Sequence, residues 1–245
     1  MTADERDALE TQEATLYGDE EMVAASGVPL PSLRVLQAAG AIQSEKTPKH
    51  HGGFKRMWSE RDVYKAAIAS ALGEQFSWNI RTVAEAMSKI HPSAWEVLIT
   101  TALWEEDWRK KTIVTSTEFD CFLELLDRKI LFLRMPPLTL ALLPDSERGQ
   151  PDLLLGVAKD EGFLMLPWAF GSSHGRAKMK KALDTEEYRL ADHLYKLGMA
   201  TRDNFLGKVT LNVSMQIRKT WHRLQGHEAY FIQETIQFGK GDPDQ

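Results

Sequence analysis

The stretch Ser26-Gly27-Val28-Pro29 constrains this chain more than any other. Apolar residues at helical spacing precede it (Met22, Val23) and follow it (Leu33, Leu36). A glycine between two such runs supplies the positive φ of a sharp helix–helix turn. Proline then opens the second run, where its missing N–H would have no partner in any case. The residues from Tyr17 to Leu72 therefore read as helix, tight turn, helix, basic loop with paired glycines, helix. Asp19 is the predicted cap of the first helix, which runs through Ala25. Val28 plugs the angle, and the second helix starts near Pro29–Ser32 and stops at Gly40. From these residues alone, an ordinary helical hairpin in a core and a DNA-reading pair are both open.

Charge separates along this part of the chain. Residues 1–25 carry eight acids against Arg6. Residues 30–65 carry Arg34, Lys46, Lys49, Lys55, Arg56, Arg61 and Lys65 against Glu45, Glu60 and Asp62, with His50 and His51 between them. The net charge of −5 argues against a chain that is basic throughout. It leaves nucleic-acid binding open, because distribution matters more than the sum. Gln43–Gly53 is polar and basic, and Gly52-Gly53 allows a reversal. Phe54-Lys55-Arg56-Met57-Trp58 then fits a short β-wing whose aromatics pack inward while Lys55 and Arg56 face phosphate. Ser59 with Asp62 is a capping pair for a third helix, striped by Val63, Ala66, Ala67, Ser70 and Ala71.

With these residues in view, the stretch resembles the DNA-binding domain of the MerR family of transcription regulators. The resemblance is carried by Glu21-Met22-Val23, Ser26-Gly27-Val28, Ser32-Leu33-Arg34 and Ala39-Gly40-Ala41-Ile42. In the wing it is carried by Gly52-Gly53, Lys55-Arg56, Trp58-Ser59 and Asp62-Val63. It spans about 55 residues, under a quarter of the chain. Val35-Leu36 stand where the family has an aromatic pair, and Gln37 replaces an acid. The resemblance implies a winged helix-turn-helix, with Arg34 clamping backbone phosphate and Lys55 or Arg56 as the basic wing contact. Base reading falls to polar residues around Pro29–Ser32 and to Gln37. Ser32, Arg34, Gln37, Lys49, His51, Lys55 and Arg56 are thus the candidate DNA contacts. The helix containing Ile80, Val83, Ala84, Met87 and Ile90 would be the module's fourth.

The family's usual long dimerisation coiled coil has no counterpart in the sequence. Pro92–Ser93 opens a helix expected to reach about Lys111. Its Trp95, Leu98, Ala102 and Trp104 make it apolar nearly all round, as in a core or a dimer interface. Trp95, Trp104 and Trp108 read as core packing or as a pocket lining. Thr117 is read as the cap of an amphipathic helix through Arg128, with Phe119, Phe122, Leu123 and Leu126 on one side. Cys121 sits in it, as a buried structural thiol or a redox sensor.

Short apolar runs then alternate with turns. Ile130–Arg134, Leu138–Leu143, Leu153–Val157 and Phe163–Leu166 read as strands, the last two as a hairpin through Lys159–Gly162. Gly171–Lys181 is a basic loop that reads as an exposed connection, a phosphate holder or a second DNA-backbone contact. Thr185 caps a helix with Tyr188, Ala191, Leu194, Tyr195 and Leu197 on one face. Val209–Arg218 fits a strand or a helix starting at Asn212. Arg218, Lys219, His222 and Arg223 form a further basic cluster, and Glu228–Phe238 reads as a closing strand.

The fold class expected is α+β. A mostly helical winged helix-turn-helix spans residues 16–91. A helical segment and a C-terminal α+β domain with a small antiparallel sheet span 92–238. Unstructured tails are expected over 1–15 (acidic) and 239–245. A length of 245 residues suits two such units. One cysteine excludes an intramolecular disulfide and argues against a cysteine-based zinc site. With no apolar span and no signal peptide in view, a cytoplasmic protein without membrane attachment is expected. No nucleophile elbow, paired catalytic carboxylates, metal-ligand spacing or nucleotide loop stands out, so no catalytic residue, metal or cofactor is assigned. The functional expectation is a regulator that binds duplex DNA as a homodimer, with a small organic effector or a partner protein acting on residues 92–238. The alternatives are a helix-turn-helix turned protein-interaction module and an enzyme in the C-terminal half.

Overall fold

The computed structural model describes residues 15–48, 54–88, 90, 92–104, 113–114, 119–136, 152–159, 162–165, 177, 180–181, 185–202, 204–227 and 230–231. Seven helices and ten strands are described there, an α+β arrangement. Lys49, His51, Trp108, Leu138–Leu143 and most of Gly171–Lys181 lie outside the described residues.

The first part follows its local signals. Strand β1 (Leu16–Tyr17) leads into α1 (Asp19–Ser26) and α2 (Leu30–Ala38). Gly27 takes φ +75° and donates its N–H to the carbonyl of Val23 at 2.9 Å. Ser26 Oγ donates to Met22 O and accepts from Val28 N, so the buried Val28 is fixed in the corner. Gly40 takes φ +76° and ends α2. Strands β2 (Ser44–Pro48) and β3 (Phe54–Ser59) pair as an antiparallel hairpin, and β1 adds to the outside of β3. Ser59 caps α3 (Glu60–Phe76), accepting from Asp62 N at 3.2 Å. Asn79 caps α4 (Ile80–Ser88), its Oδ1 accepting from Arg81 N and Thr82 N.

Two local expectations are corrected. The cap position of α1 is Gly18, not Asp19. The Gly18 N–H donates to Glu21 Oε2 at 2.7 Å, while the Asp19 carboxylate turns away to Trp58. In the hairpin, Trp58 is fully buried as expected, but Phe54 is 65% exposed and does not pack onto the helices.

Gly27 yields a direct test. A left-handed backbone costs an L-residue about 1–2 kcal/mol, and an added Cβ would sit 3.5 Å from Ser70 Oγ. Gly27→Ala is expected to lower stability by about that amount, read from the urea midpoint at unchanged slope.

The second part departs further from its expectations. Helix α5 (Pro92–Ala102) ends at Ala102, well short of Lys111, and Trp104 is exposed rather than core. The segment after Thr117 is not a helix. It forms β5 (Phe122–Leu126), turns through Asp127–Lys129, and returns as β6 (Ile130–Arg134). Asp127 and Arg128 both take positive φ, the twist a tight hairpin needs. β5 is paired on both sides, with β6 and with β9 (Lys208–Asn212), so ladder bonds outweigh its helical apolar spacing. With β7 (Asp152–Lys159) and β8 (Gly162–Met165) the order is β8-β7-β6-β5-β9, antiparallel throughout. The β7–β8 hairpin is the one expected. Val209–Arg218 contains both structures: β9 ends at Asn212, whose side chain caps α7 (Val213–Leu224) by accepting from Met215 N. Within the expected closing strand Glu228–Phe238 the structure describes Tyr230–Phe231 (β10), which pairs in parallel with β4 (Ile113–Val114).

The sheet buries both faces. Leu126, Ile130 and Phe132 meet Ala191 and Leu194 of α6 (Thr185–Arg202). Leu123, Leu125, Leu131 and Leu133 join Val213 and Ile217 of α7 in a core that runs on to Trp58, Leu36 and Met22. Helix α7 packs against α1, α3 and α5, and Arg223 Nη1 donates to the Ala25 carbonyl at 3.2 Å. The helix–turn–helix part thus shares its core with the sheet, with α3 buried nearly all round between them.

The expected basic cluster on α7 is corrected as well. Arg218 and His222 are each 1% exposed. Arg218 pairs with Asp120, also buried, and donates Nε to the Ala102 carbonyl at 2.8 Å. It therefore closes the C-terminus of α5, whose last carbonyls lack helical partners.

Candidate nucleic-acid interface

Helix α2 presents Pro31, Arg34 and Ala38 outward, with Ser32, Val35 and Gln37 half-buried. The spacing places Leu33 and Leu36 inward and leaves Arg34 free to project. Ser32 lies in the first turn of the helix, its N–H bound to the Pro29 carbonyl at 2.9 Å. Gln37 Nε2 donates to Ser44 Oγ at 2.7 Å. That bond ties α2 to β2 and engages the amide that base reading would use.

The hairpin register decides the charge on its faces. Ser44 stands opposite Trp58, Lys46 opposite Arg56, and Thr47 opposite Lys55. Directly opposed residues share a face, so Lys46 and Arg56 set two cations side by side. Arg56 lies over the Trp58 ring at 5.6 Å, with Nε 3.7 Å from Asp19 Oδ1. The same oxygen accepts from Trp58 Nε1 at 2.7 Å. Asp19 thus fixes the indole and partly offsets Arg56. Lys55 is exposed and lies beside the start of α1, where a Cβ on Gly18 would approach its Nζ to 3.4 Å.

Between these elements lies a groove of about 860 Å³. The start of α1, with Asp19, Glu20 and Glu21, forms one wall. Lys46, Lys55, Arg56 and Phe54 form the other, and Gln37 and Ser44 lie between. The acids stand in the first turn of a helix, where the backbone dipole favours them. The groove is therefore bipolar, not uniformly basic.

Of the expected contacts, the structure brings Gln37, Lys55 and Arg56 to this groove and places Arg34 on the outer face of α2. Ser32 lies at the start of that helix, outside the groove lining. The sequence reading did not select Lys46 or the acidic wall. Lys46 was hidden because Ser44–Pro48 read as loop; only strand pairing sets it against Arg56.

Elsewhere, Cys121 is fully buried, and its N–H donates to Ser214 Oγ at 2.9 Å. His193 is exposed on α6. Among the described residues, no group of three or more His, Cys, Asp or Glu side chains is placed to hold a metal. No described helix is long and apolar enough to cross a membrane.

No family model, curated protein or solved structure matches this chain.

Proposed function

We propose that this protein is a sequence-specific transcriptional regulator that binds duplex DNA as a homodimer through a winged helix-turn-helix of the MerR type. The observation that carries the reading is the cross-strand pair of Lys46 and Arg56 on a hairpin tied to α2. Like charges directly opposite each other disfavour a hairpin, and a polyanion laid along it reverses that sign. Arg34 on the outer face of α2 adds a cation on the helix that would enter the major groove, where phosphate contacts position and base contacts specify. Residues 92–238 would hold the two copies together and receive a small organic effector or a partner protein. The reading involves no catalysis.

A second reading has its own support. Gln37 and Arg56 already have partners within the chain, and an acidic wall faces the hairpin. Both features suit a helix-turn-helix turned into a docking surface for another protein.

Selection of genomic duplex fragments by the pure protein, followed by titration across salt, separates the two. The DNA reading expects a few fragments to be enriched, with affinity falling steeply as salt rises. Arg34→Ala should weaken binding to all of them alike and flatten the log–log salt slope by about one. Failure to enrich any fragment even at low salt would leave the docking reading.

A further inference from the structure

The sheet face that packs on α6 continues past the end of that helix, and we infer that it holds a binding site there for a small single-ring carboxylate. Residues two apart on a strand share a face. Leu126 and Phe132 face α6 and are buried. Glu124 on β5 and Arg134 on β6, each two positions further along, lie on that same face. Helix α6 ends at Arg202, and the chain turns back to the sheet through Phe205. The return is fixed by the β5–β6 turn. Asp127 Oδ1 accepts from Leu206 N at 2.9 Å and from Gly207 N at 2.7 Å, while Asp127 N donates to Gly207 O at 2.8 Å. A cavity of about 150 Å³ is left between this return and the sheet, lined by Glu124, Leu126, Phe132, Arg134, Arg202 and Phe205.

Size and sign both follow from the lining. Leu126 and Phe132 give it a buried apolar floor, and Phe205, 40% exposed, gives it an outer aromatic wall. An apolar cavity of about 150 Å³ takes one benzene ring. The polar part of the lining selects an anion. Glu124 already has a cation, because Lys208 Nζ lies 3.0 Å from its Oε1. Arg134 Nη1 reaches the same oxygen only at 3.5 Å, and the arginine side chain is half exposed. A guanidinium carries five N–H donors, so most of the Arg134 fork is left for a ligand.

The lining thus sets two arginines against one carboxylate that a lysine already neutralises. Arginine forks take carboxylates through paired, charge-assisted hydrogen bonds. A ring laid on Leu126 and Phe132 meets Phe205 with its outer side and turns its carboxylate to the guanidinium groups. As an effector site this rests on the regulator reading, in which residues 92–238 receive a small organic molecule. As a binding site it stands apart from that reading.

Calorimetric titration of the full chain with benzoate tests it. The wild type is expected to bind one benzoate per chain. Acetate, which lacks the ring, and benzylamine, which reverses the charge, should each bind at least about tenfold more weakly. Arg134→Gln is expected to weaken benzoate about ten- to a hundredfold, the range for losing hydrogen bonds to a charged group. Its fold should survive, since Glu124 keeps Lys208, and an unchanged urea midpoint checks that. Phe205→Asp sets an acid on the outer wall and should abolish binding; its side chain is partly exposed, so it reports on the site even if Arg134→Gln misfolds. No benzoate binding at millimolar concentration overturns the site. So does benzylamine or acetate binding as tightly as benzoate, or both variants holding benzoate as the wild type does. Duplex affinity with and without saturating benzoate then tests the effector role, which a severalfold change supports and no change removes. A chain that binds benzoate in this way but selects no duplex keeps the site and sinks the regulator reading alone.

Discussion

Arg218→Ala is expected to cost about 3–5 kcal/mol of folding stability, the usual penalty for removing one member of a buried ion pair. That is a large share of the 5–15 kcal/mol that holds a typical domain together. The loss comes from what is left behind. Asp120 is 1% exposed and would lose its cationic partner, with Asn212 Nδ2, at 2.6 Å, as a remaining donor. The Ala102 carbonyl at the end of α5 would lose the Nε of Arg218. The damage would reach three elements at once, because Asp120 precedes β5, Ala102 ends α5 and Arg218 lies in α7. Two nearby bonds hold the same junction, Val213 N to Cys121 O and Cys121 N to Ser214 Oγ, both at 2.9 Å. A double variant checks the cause. Asp120→Leu with Arg218→Met removes both charges and is expected to recover most of the loss, since apolar replacement of a whole buried pair is often neutral. Urea unfolding of the two singles and the double gives the coupling energy. An Arg218→Ala midpoint within error of the wild type would refute the anchor.

How much of this was readable depended on how far each determinant reaches along the chain. Gly27, Gly40 and Ser59 act on neighbours within a few residues, and the turn, the helix stop and the cap all stand where the sequence put them. β5 shows the opposite case. Phe119, Phe122, Leu123 and Leu126 satisfy a helical template. Yet Leu123 and Leu125 face α7 while Leu126 faces α6, so both strand faces are apolar and no alternation marks the strand. The decisive partner, β9, lies more than eighty residues away. Arg218 and His222 read as part of a basic cluster for the same reason: they are buried on a helix that packs against α1, α3 and α5, which neither residue's neighbours announce. In the candidate site, the cations of the hairpin were visible as a charge excess. Which of them share a face was not, because that follows from the Ser44↔Trp58 register. The acids of α1 read as the start of the first helix, and their place beside the hairpin follows from β1 pairing on β3 and from the Asp19–Trp58 bond, neither of which the local sequence announces.

That opposition of acids and bases sets the second large effect. Removing the three hairpin cations in Lys46→Ala/Lys55→Ala/Arg56→Ala is expected to weaken duplex binding about 500-fold at 0.1 M salt. The estimate assumes that each cation neutralises one phosphate. Each then contributes about 0.9 to the log–log salt slope, which is about 0.9 decade at that concentration and about 2.7 decades for three. The slope itself should flatten by about 2.7, and that change separates lost phosphate contacts from a damaged fold. The fold is expected to survive. Lys55 is exposed, and Asp19 keeps the Trp58 indole after Arg56 is gone. The opposite wall supplies the converse. Glu20 is exposed and lines the same groove, so Glu20→Lys replaces an acid near the backbone path with a cation. It is expected to tighten binding about tenfold and to steepen the slope by about one. Fluorescence anisotropy on one duplex at several salt concentrations measures all of this. If the triple variant and Glu20→Lys both leave affinity and slope where the wild type has them, DNA does not lie along this hairpin, and the bipolar groove belongs to a protein partner instead.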